Sequence, residues 1–270
     1  MTTTHGRGDP IGVFDSGLGG LTVVKRIREL LPQEDILYFG DLARLPYGTK
    51  SRRQIISFSI ENTDFLITRG VKALVVACNS SASAAFGTLK RHYALPVIDV
   101  IAPAVEEAVS KSSSGRIGLI ATRATVESGA YEKAIHGFKN HCQVYAAACP
   151  LFVPLVEEGM SNDRVTLAMA ERYLAPLMRH KIDTLILGCT HYPLLANILK
   201  KVLPRSVRLV DSARPTVERL LEILNREGLR TPAKKRGRLQ IFVSDKPRRF
   251  TEIGQRFLGE KLSSIKVVRP

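Results

Sequence analysis

Two stretches of this chain repeat one design, an apolar run that ends on a cysteine. They are Ala73-Leu74-Val75-Val76-Ala77-Cys78-Asn79 and Thr184-Leu185-Ile186-Leu187-Gly188-Cys189-Thr190. A basic loop precedes each one, Arg69-Gly70-Val71-Lys72 and Arg179-His180-Lys181-Ile182-Asp183. A short apolar run ending in Asp follows each cysteine after 21 or 22 residues, as Pro96-Val97-Ile98-Asp99 and Arg208-Leu209-Val210-Asp211. Upstream, Ile11-Gly12-Val13-Phe14 and Ile117-Gly118-Leu119-Ile120 extend the correspondence, with Asp15 preceding Cys78 by 63 residues and Thr122 preceding Cys189 by 67. Strand and helix alternate, which favours parallel sheets covered by helices. The repeat predicts two similar α/β domains with mainly parallel central sheets, related by a pseudo-twofold axis, with the active site in the cleft between them. Ligands of open α/β sheets sit at the carboxyl edge, where both cysteines fall. Two facing thiols suit chemistry that needs an equivalent base on each side of one atom.

Along the chain, residues 11–14 read as a strand, and the Gly17-Leu18-Gly19-Gly20 turn leads into a helix presenting Leu21, Val24, Ile27 and Leu31 on one face. Residues 36–39 form the next strand, and residues 40–50 a loop rich in turn formers. Ser51 and Gln54 have capping-box spacing, opening a helix that ends near Gly70. A small-residue helix is expected over 82–92 and a strand over 97–100. Ser112-Ser113-Ser114-Gly115 is the clearest linker-like stretch. Further on, the pattern predicts a strand over 144–148, a helix over 164–179, a helix carrying Pro215 in its first turn and stopping at Gly228, a strand over 239–243 and a last helix over 250–262. The tail after Asp211 is expected to return to the first half. The expected domains are therefore residues 1–98 plus 212–270, with Cys78, and residues 99–211, with Cys189.

At 270 residues there is length for two cores. The longest apolar run is about six residues, far short of the roughly 20 needed to span a bilayer. The first ten residues are polar, lack the apolar stretch of a secretory signal and read as a frayed end. A cytoplasmic location with free thiols follows. Cys78, Cys142, Cys149 and Cys189 show no metal-ligand spacing, so no metal is expected. The net charge is +15, and residues 225–270 hold 13 Lys/Arg against 4 Asp/Glu. A solvated basic surface is the plain reading; attraction of an acidic small substrate or weak nucleic-acid binding by this basic segment are the alternatives, the latter without a motif.

By residue type alone, a strand cysteine is an inert apolar filler. Here Cys78 is followed at once by Asn79, Ser80 and Ser81, and Cys189 by Thr190 and His191, so both thiols stand where the chain leaves the core. The amides of a following helix N-terminus can hold a carboxylate, and His191 can carry a proton. Asp15-Ser16-Gly17-Leu18-Gly19-Gly20 is neither a dinucleotide fingerprint, since Thr22 stands where its last Gly would be, nor a P-loop. It remains a tight turn exposing amides, a carboxylate and a hydroxyl. Asp41 and Glu157, in or near loops, read as surface charges on their own. Cys142 and Cys149 lack the paired strand-end context and read as structural.

Several segments together resemble the glutamate racemases of the cofactor-independent aspartate/glutamate racemase superfamily. They are Val13-Phe14-Asp15-Ser16-Gly17-Leu18-Gly19-Gly20-Leu21-Thr22, Tyr38-Phe39-Gly40-Asp41 with Pro46-Tyr47-Gly48, Ala77-Cys78-Asn79, Cys149-Pro150-Leu151-Phe152 through Glu157, and Gly188-Cys189-Thr190-His191-Tyr192-Pro193. The resemblance covers residues 11 to about 215, in order. It departs at Ser80-Ser81, where the family usually has Thr-Ala. The resemblance implies Cys78 and Cys189 as acid/base thiols, and Asp15, Asp41, Glu157 and His191 as supports for proton transfer. It further implies Asp15, Ser16, Tyr47, Gly48, Asn79, Ser80, Thr190 and His191 as substrate contacts. No cofactor, a glutamate substrate, a homodimer and a supply of D-glutamate for peptidoglycan are also implied. The chemistry is consistent: inverting a stereocentre through a planar carbanion takes a proton from one face and returns one to the other, and each base must reach that proton. Three rivals stay open at this point. These are a sister racemase acting on aspartate, a Cys/His hydrolase that would leave one cysteine idle, and a nucleic-acid-binding protein.

Overall fold

The computed structural model describes residues 6–139, 141–245, 250–262 and 265–269. In chain order the elements are β1 (Ile11–Asp15), α1 (Leu21–Leu30), β2 (Ile36–Gly40), α2 (Arg52–Ile67), β3 (Ala73–Val76), α3 (Asn79–His92), β4 (Val97–Asp99) and α4 (Ile101–Lys111). They continue with β5 (Arg116–Ala121), α5 (Arg123–Glu127), α6 (Ala130–Phe138), β6 (Gln143–Ala148), α7 (Phe152–Glu157), α8 (Arg164–Met178) and β7 (Thr184–Gly188). The remainder is α9 (Ala196–Val202), β8 (Arg208–Asp211), α10 (Ala213–Arg226), β9 (Leu239–Val243), α11 (Phe250–Leu258) and β10 (Ile265–Val267).

The strands form two parallel sheets, ordered β10-β9-β2-β1-β3-β4 and β6-β5-β7-β8. The run β2-β1-β3-β4 in the first has the same order and sense as β6-β5-β7-β8 in the second. This is the sequence repeat expressed as topology. Strands β1, β3 and β7 are buried along their whole length, as near-continuous apolar runs in helix-covered parallel sheets must be. Helices α1, α10 and α11 pack together beside the first sheet, α8 packs with α9, and α4 packs with both α6 and α10. Among the described residues no helix is long and apolar enough to cross a membrane.

In each sheet the chain leaves the first strand for a neighbour on one side and later returns on the other. A crevice opens at such a reversal, outside the carboxyl ends. It lies between β1 and β3 in the first sheet and between β5 and β7 in the second. Asp15 and Cys78 therefore come from adjacent strand ends, as do Thr122 and Cys189.

The structure departs from the sequence reading in several places, among them the unpredicted α5, α6, α7, α9 and β10 and a last helix that ends at Leu258. Helix α3 starts at Asn79, three residues early, because extended Cys78 is itself its N-cap and Asn79, Ser80 and Ser81 form its first turn. Helix α4, unmarked in the sequence, buries Ile101, Ala104, Val105 and Ala108 at helical spacing. The Ser112–Gly115 stretch is tethered: the Ser112 and Ser113 hydroxyls donate to the Asp183 carboxylate at 2.6 and 3.1 Å, and the Ser114 amide at 2.6 Å. Against the burial penalty, these bonds hold the Asp183 carboxyl below the usual carboxylate range. The expected frayed end is tied down over residues 6–10, where Arg7 Nε donates to Arg230 O and Lys72 Nζ to Arg7 O; residues 1–5 lie outside the described residues. So do residues 246–249, 263–264 and 270 of the basic segment.

Lys72, in the basic loop before β3, is fully buried and pairs with buried Glu34 at 2.5 Å. The Thr231 amide donates to the other Glu34 oxygen at 2.9 Å, so the pair clamps the C-terminal segment to the first sheet. Removing Lys72 leaves the buried Glu34 carboxylate only the more distant Arg230, at 3.6 Å, and the Thr231 amide, at a cost of up to about 3–5 kcal/mol. We expect Lys72→Met to lower urea-denaturation stability by that amount, and the Lys72→Met/Glu34→Leu double variant to recover most of it.

Candidate active site

Backbone pairing delivers the first thiol. The Ala77 amide donates to Phe14 O at 3.0 Å, carrying Cys78 beside Asp15 and Ser16. The Cys78 thiol donates to Ser16 Oγ at 3.5 Å. Burial and the neighbouring Asp15 carboxylate push the Cys78 thiol up to about 11, while Ser16 and the Ser81 amide and hydroxyl act the other way. Cys78 is the N-cap of α3, whose first-turn amides have no partner within the helix; of these, the Ser81 amide acts on the thiol.

The second thiol has different company. Cys189 Sγ lies 3.9 Å from His191 Nδ1, and His191 Nε2 lies 3.0 Å from Glu157 Oε1. Burial alone would lower the His191 pKa; Cys189 and Glu157 outweigh it and push it up to about 10. Asp15 lies between the two systems. Its carboxylate accepts from the Gly17 amide at 3.0 Å and from Thr190 Oγ1, in the other half, at 3.4 Å. Burial raises its pKa, opposed by the His191 charge and these bonds.

One cavity of about 30 Å³ receives both thiols. Ser16, Tyr47, Gly48, Cys78, Asn79, Ser80, Cys189, Thr190 and His191 line it, with Leu45, Pro46, Thr122 and Val153. It adjoins a more open, apolar vestibule of about 470 Å³ through the shared residues Leu45, Pro46, Gly48, Thr122 and Val153. A separate groove of about 670 Å³ is a basic one formed by Arg28, Arg238, Lys261 and Lys266 with Glu260, and contains neither thiol. Two close approaches let the halves meet. A Cβ on Gly19 would overlap Thr190 Oγ1 and the His191 ring, and one on Gly48 would stand 2.7 Å from Thr122 Cβ.

This arrangement has relatives. The sequence profile of the Asp/Glu/Hydantoin racemase family matches residues 11–220. A glutamate racemase of Geobacter metallireducens is 46% identical over 255 residues, 94% of each chain, and one of Neisseria meningitidis is 46% identical over 264 residues, 97% of each. Two crystal structures are similar throughout. A Bacillus anthracis glutamate racemase isoform has a TM-score of 0.93 at 38% identity, and a Francisella tularensis glutamate racemase in complex with D-glutamate has a TM-score of 0.92 at 39%; each match covers 97% of this chain and 98% of the other. The chain belongs to the Asp/Glu/Hydantoin racemase family. It is an isomerase with the two-domain racemase fold.

Within this racemase, every residue singled out in the sequence is at or directly behind the cavity. Three stand behind it: Asp15 behind Thr190, Glu157 behind His191 and Asp41 behind Tyr47. Asp41 is fully buried, unlike the surface acid its loop position suggested. Its carboxylate accepts from the Tyr47 hydroxyl, from Arg44 Nε at 2.6 Å and from Ser244 Oγ at 2.9 Å. Burial first, then Asp41, raises the Tyr47 hydroxyl pKa, so it stays a donor. Ser80 Oγ forms a hydroxyl cluster with Thr122 (3.0 Å) and Thr125 (3.4 Å) across the two halves.

Cys149 stands one residue past β6, as the predicted strand over 144–148 places it, but without a cysteine counterpart in the first sheet. It occupies in the second sheet the place of Asp41 in the first, its amide donating to Ala121 O at 2.9 Å as that of Asp41 donates to Asp15 O at 3.0 Å. Its thiol turns back to Ala147 O and does not line the cavity. Thr122 was missed as a site residue although the repeat contains the signal: it follows β5 as Ser16 follows β1. Leu45, Pro46 and Val153 enclose the cavity by shape alone, which no motif announces.

The His191 pairing generates a titration. A histidine raised from 6.5 to about 10 adds stability that is complete below pH 6.5 and lost as pH climbs through 10. By NMR, His191 should remain protonated at neutral pH, and Glu157→Gln should lower its pKa by about 1 unit or more.

Proposed function

We propose that this racemase interconverts L- and D-glutamate without a cofactor, using Cys78 and Cys189 as bases on opposite faces of the α-carbon. One observation carries the reading: thiols from the carboxyl edges of two separate sheets line one cavity. The thiolate on one face removes the Cα proton, the carbanion flattens, and the thiol on the other face returns a proton. The protonation states of the sulfurs are then exchanged, which suits the reverse reaction.

The residues behind the thiols differ between faces. His191 Nδ1 is placed to exchange a proton with Cys189, and Glu157 keeps the imidazole charged and oriented. On the other side, ionisation of Cys78 is opposed by burial and Asp15, and favoured by Ser16 and by the Ser81 amide and hydroxyl. The free amides of the first turn of α3, the Asn79 side chain and the Ser16 hydroxyl are donors available to substrate carboxylates. Preorganised donors of this kind stabilise charge as it develops. Tyr47, held by Asp41, closes the same wall.

We assign the Cys78 half to residues 1–98 and 212–270 and the Cys189 half to residues 99–211; the addition of β9 and β10 beside β2 supports this division. We further infer a cytoplasmic homodimer supplying D-glutamate for peptidoglycan, a role testable by rescue of a D-glutamate-requiring bacterium.

Racemisation followed by circular dichroism, with no cofactor added, should proceed from either enantiomer of glutamate and not from aspartate. Cys78→Ala and Cys189→Ala should each lower the rate by about 10³-fold or more while leaving the thermal transition in place. Undiminished turnover in either variant would remove that cysteine from the mechanism.

A further inference from the structure

Asn79 is 3% exposed, lines the cavity and follows Cys78 directly. Its amide oxygen accepts a 2.6 Å hydrogen bond from the hydroxyl of Tyr131. Its Nδ2 has no hydrogen-bond partner among the described residues. A buried amide nitrogen without a partner is costly unless a ligand accepts from it. Tyr131 belongs to α6, in the second half, is 1% exposed and does not line the cavity.

We propose that Tyr131 is a positioning residue that fixes the Asn79 amide with its N–H groups toward the cavity, so that this wall selects a carboxylate over a carboxamide. The inference rests on the glutamate reading of the site and names a selectivity device within it. An amide side chain is symmetric in shape but not in polarity, and a half-turn about its last bond exchanges donor for acceptor. In the observed orientation the Tyr131 hydrogen is used and the free group is a donor, which suits an anion. In the rotated orientation the Asn79 oxygen would face the cavity and repel a carboxylate, and the Tyr131 hydrogen would lose this acceptor. Burial, with the charges of Asp99 and Cys189, keeps the Tyr131 hydroxyl protonated, so it remains a donor. Because Tyr131 reaches Asn79 from the other half, the same bond ties donor polarity to closure of the two halves.

The test measures binding and turnover separately. Calorimetry on the wild-type protein and on Tyr131→Phe uses D-glutamate and its two neutral amides, D-glutamine and D-isoglutamine, so that either carboxylate is covered. In Tyr131→Phe the amide is free to rotate. D-glutamate affinity should fall about tenfold, its preference over one of the two amides should shrink by about tenfold, and KM should rise while kcat changes by less than about threefold. A uniform loss for all three ligands, or unchanged preferences in a folded variant, overturns the proposal. Asn79→Asp keeps an acceptor for Tyr131 and removes the donor. It should bind D-glutamate about 100-fold more weakly, and unchanged affinity there also overturns the proposal, even where Tyr131→Phe fails to fold. Wild-type protein that binds D-glutamate with the predicted preference but leaves its stereochemistry untouched would defeat the racemase reading and leave the Tyr131 role standing.

Discussion

Everything at the site depends on two sheet edges being brought to one cavity. Each sheet alone ends in a half-site: a thiol past one strand and a polar turn past its neighbour. The halves complement each other only at close range. The bare backbone of Gly19 admits Thr190 and His191, Thr190 reaches Asp15, and Tyr131 reaches Asn79. These contacts involve groups with functional consequences, so fold and site are not separable here. Closing the cleft and aligning donors are the same event.

Burial then creates an electrostatic problem that the two sides answer differently. Cys78 and Asp15 are both acidic groups out of water, and the Asp15 carboxylate raises the cost of ionising Cys78. Cys189 has a histidine beside it and a carboxylate behind that histidine, so charge there is paired. Under the proposed two-thiol mechanism, running in both directions needs comparable thiols, yet the two enantiomers place their remaining groups differently. Unequal support for equal bases is a physical way to balance them. In the proposed mechanism, the small cavity opening on an apolar vestibule is a low-dielectric setting that strengthens every donor aimed at the substrate.

Much of this was legible in the sequence because it was written twice. The strand-cysteine-polar pattern located both thiols, and the Ile-Gly strands located the turns facing them. The Ser51 box appears as drawn, with Ser51 Oγ accepting from the Gln54 amide at 3.3 Å. What failed to show depends on tertiary neighbours. Asp41 reads as a loop acid until Tyr47, Arg44 and Ser244 surround it. Lys72 reads as one member of a basic loop until buried Glu34 is found beside it. Helix α4 was hidden because Ile101, Ala104, Val105 and Ala108 follow directly on a strand, with only Pro103 as a marker of a first turn. Tyr131 has no local signature, since its meaning lies 52 residues away at Asn79.

The central claim is that two different groups handle the proton on the two faces of the α-carbon. Solvent-isotope labelling at early conversion measures this directly, by mass spectrometry of separated enantiomers in D2O. Starting from either pure enantiomer, the product pool should be almost wholly deuterated at Cα while the remaining substrate keeps its protium. Product that retains the original hydrogen, or substrate that exchanges as fast as product forms, would show a single base shuttling one proton and would contradict the account.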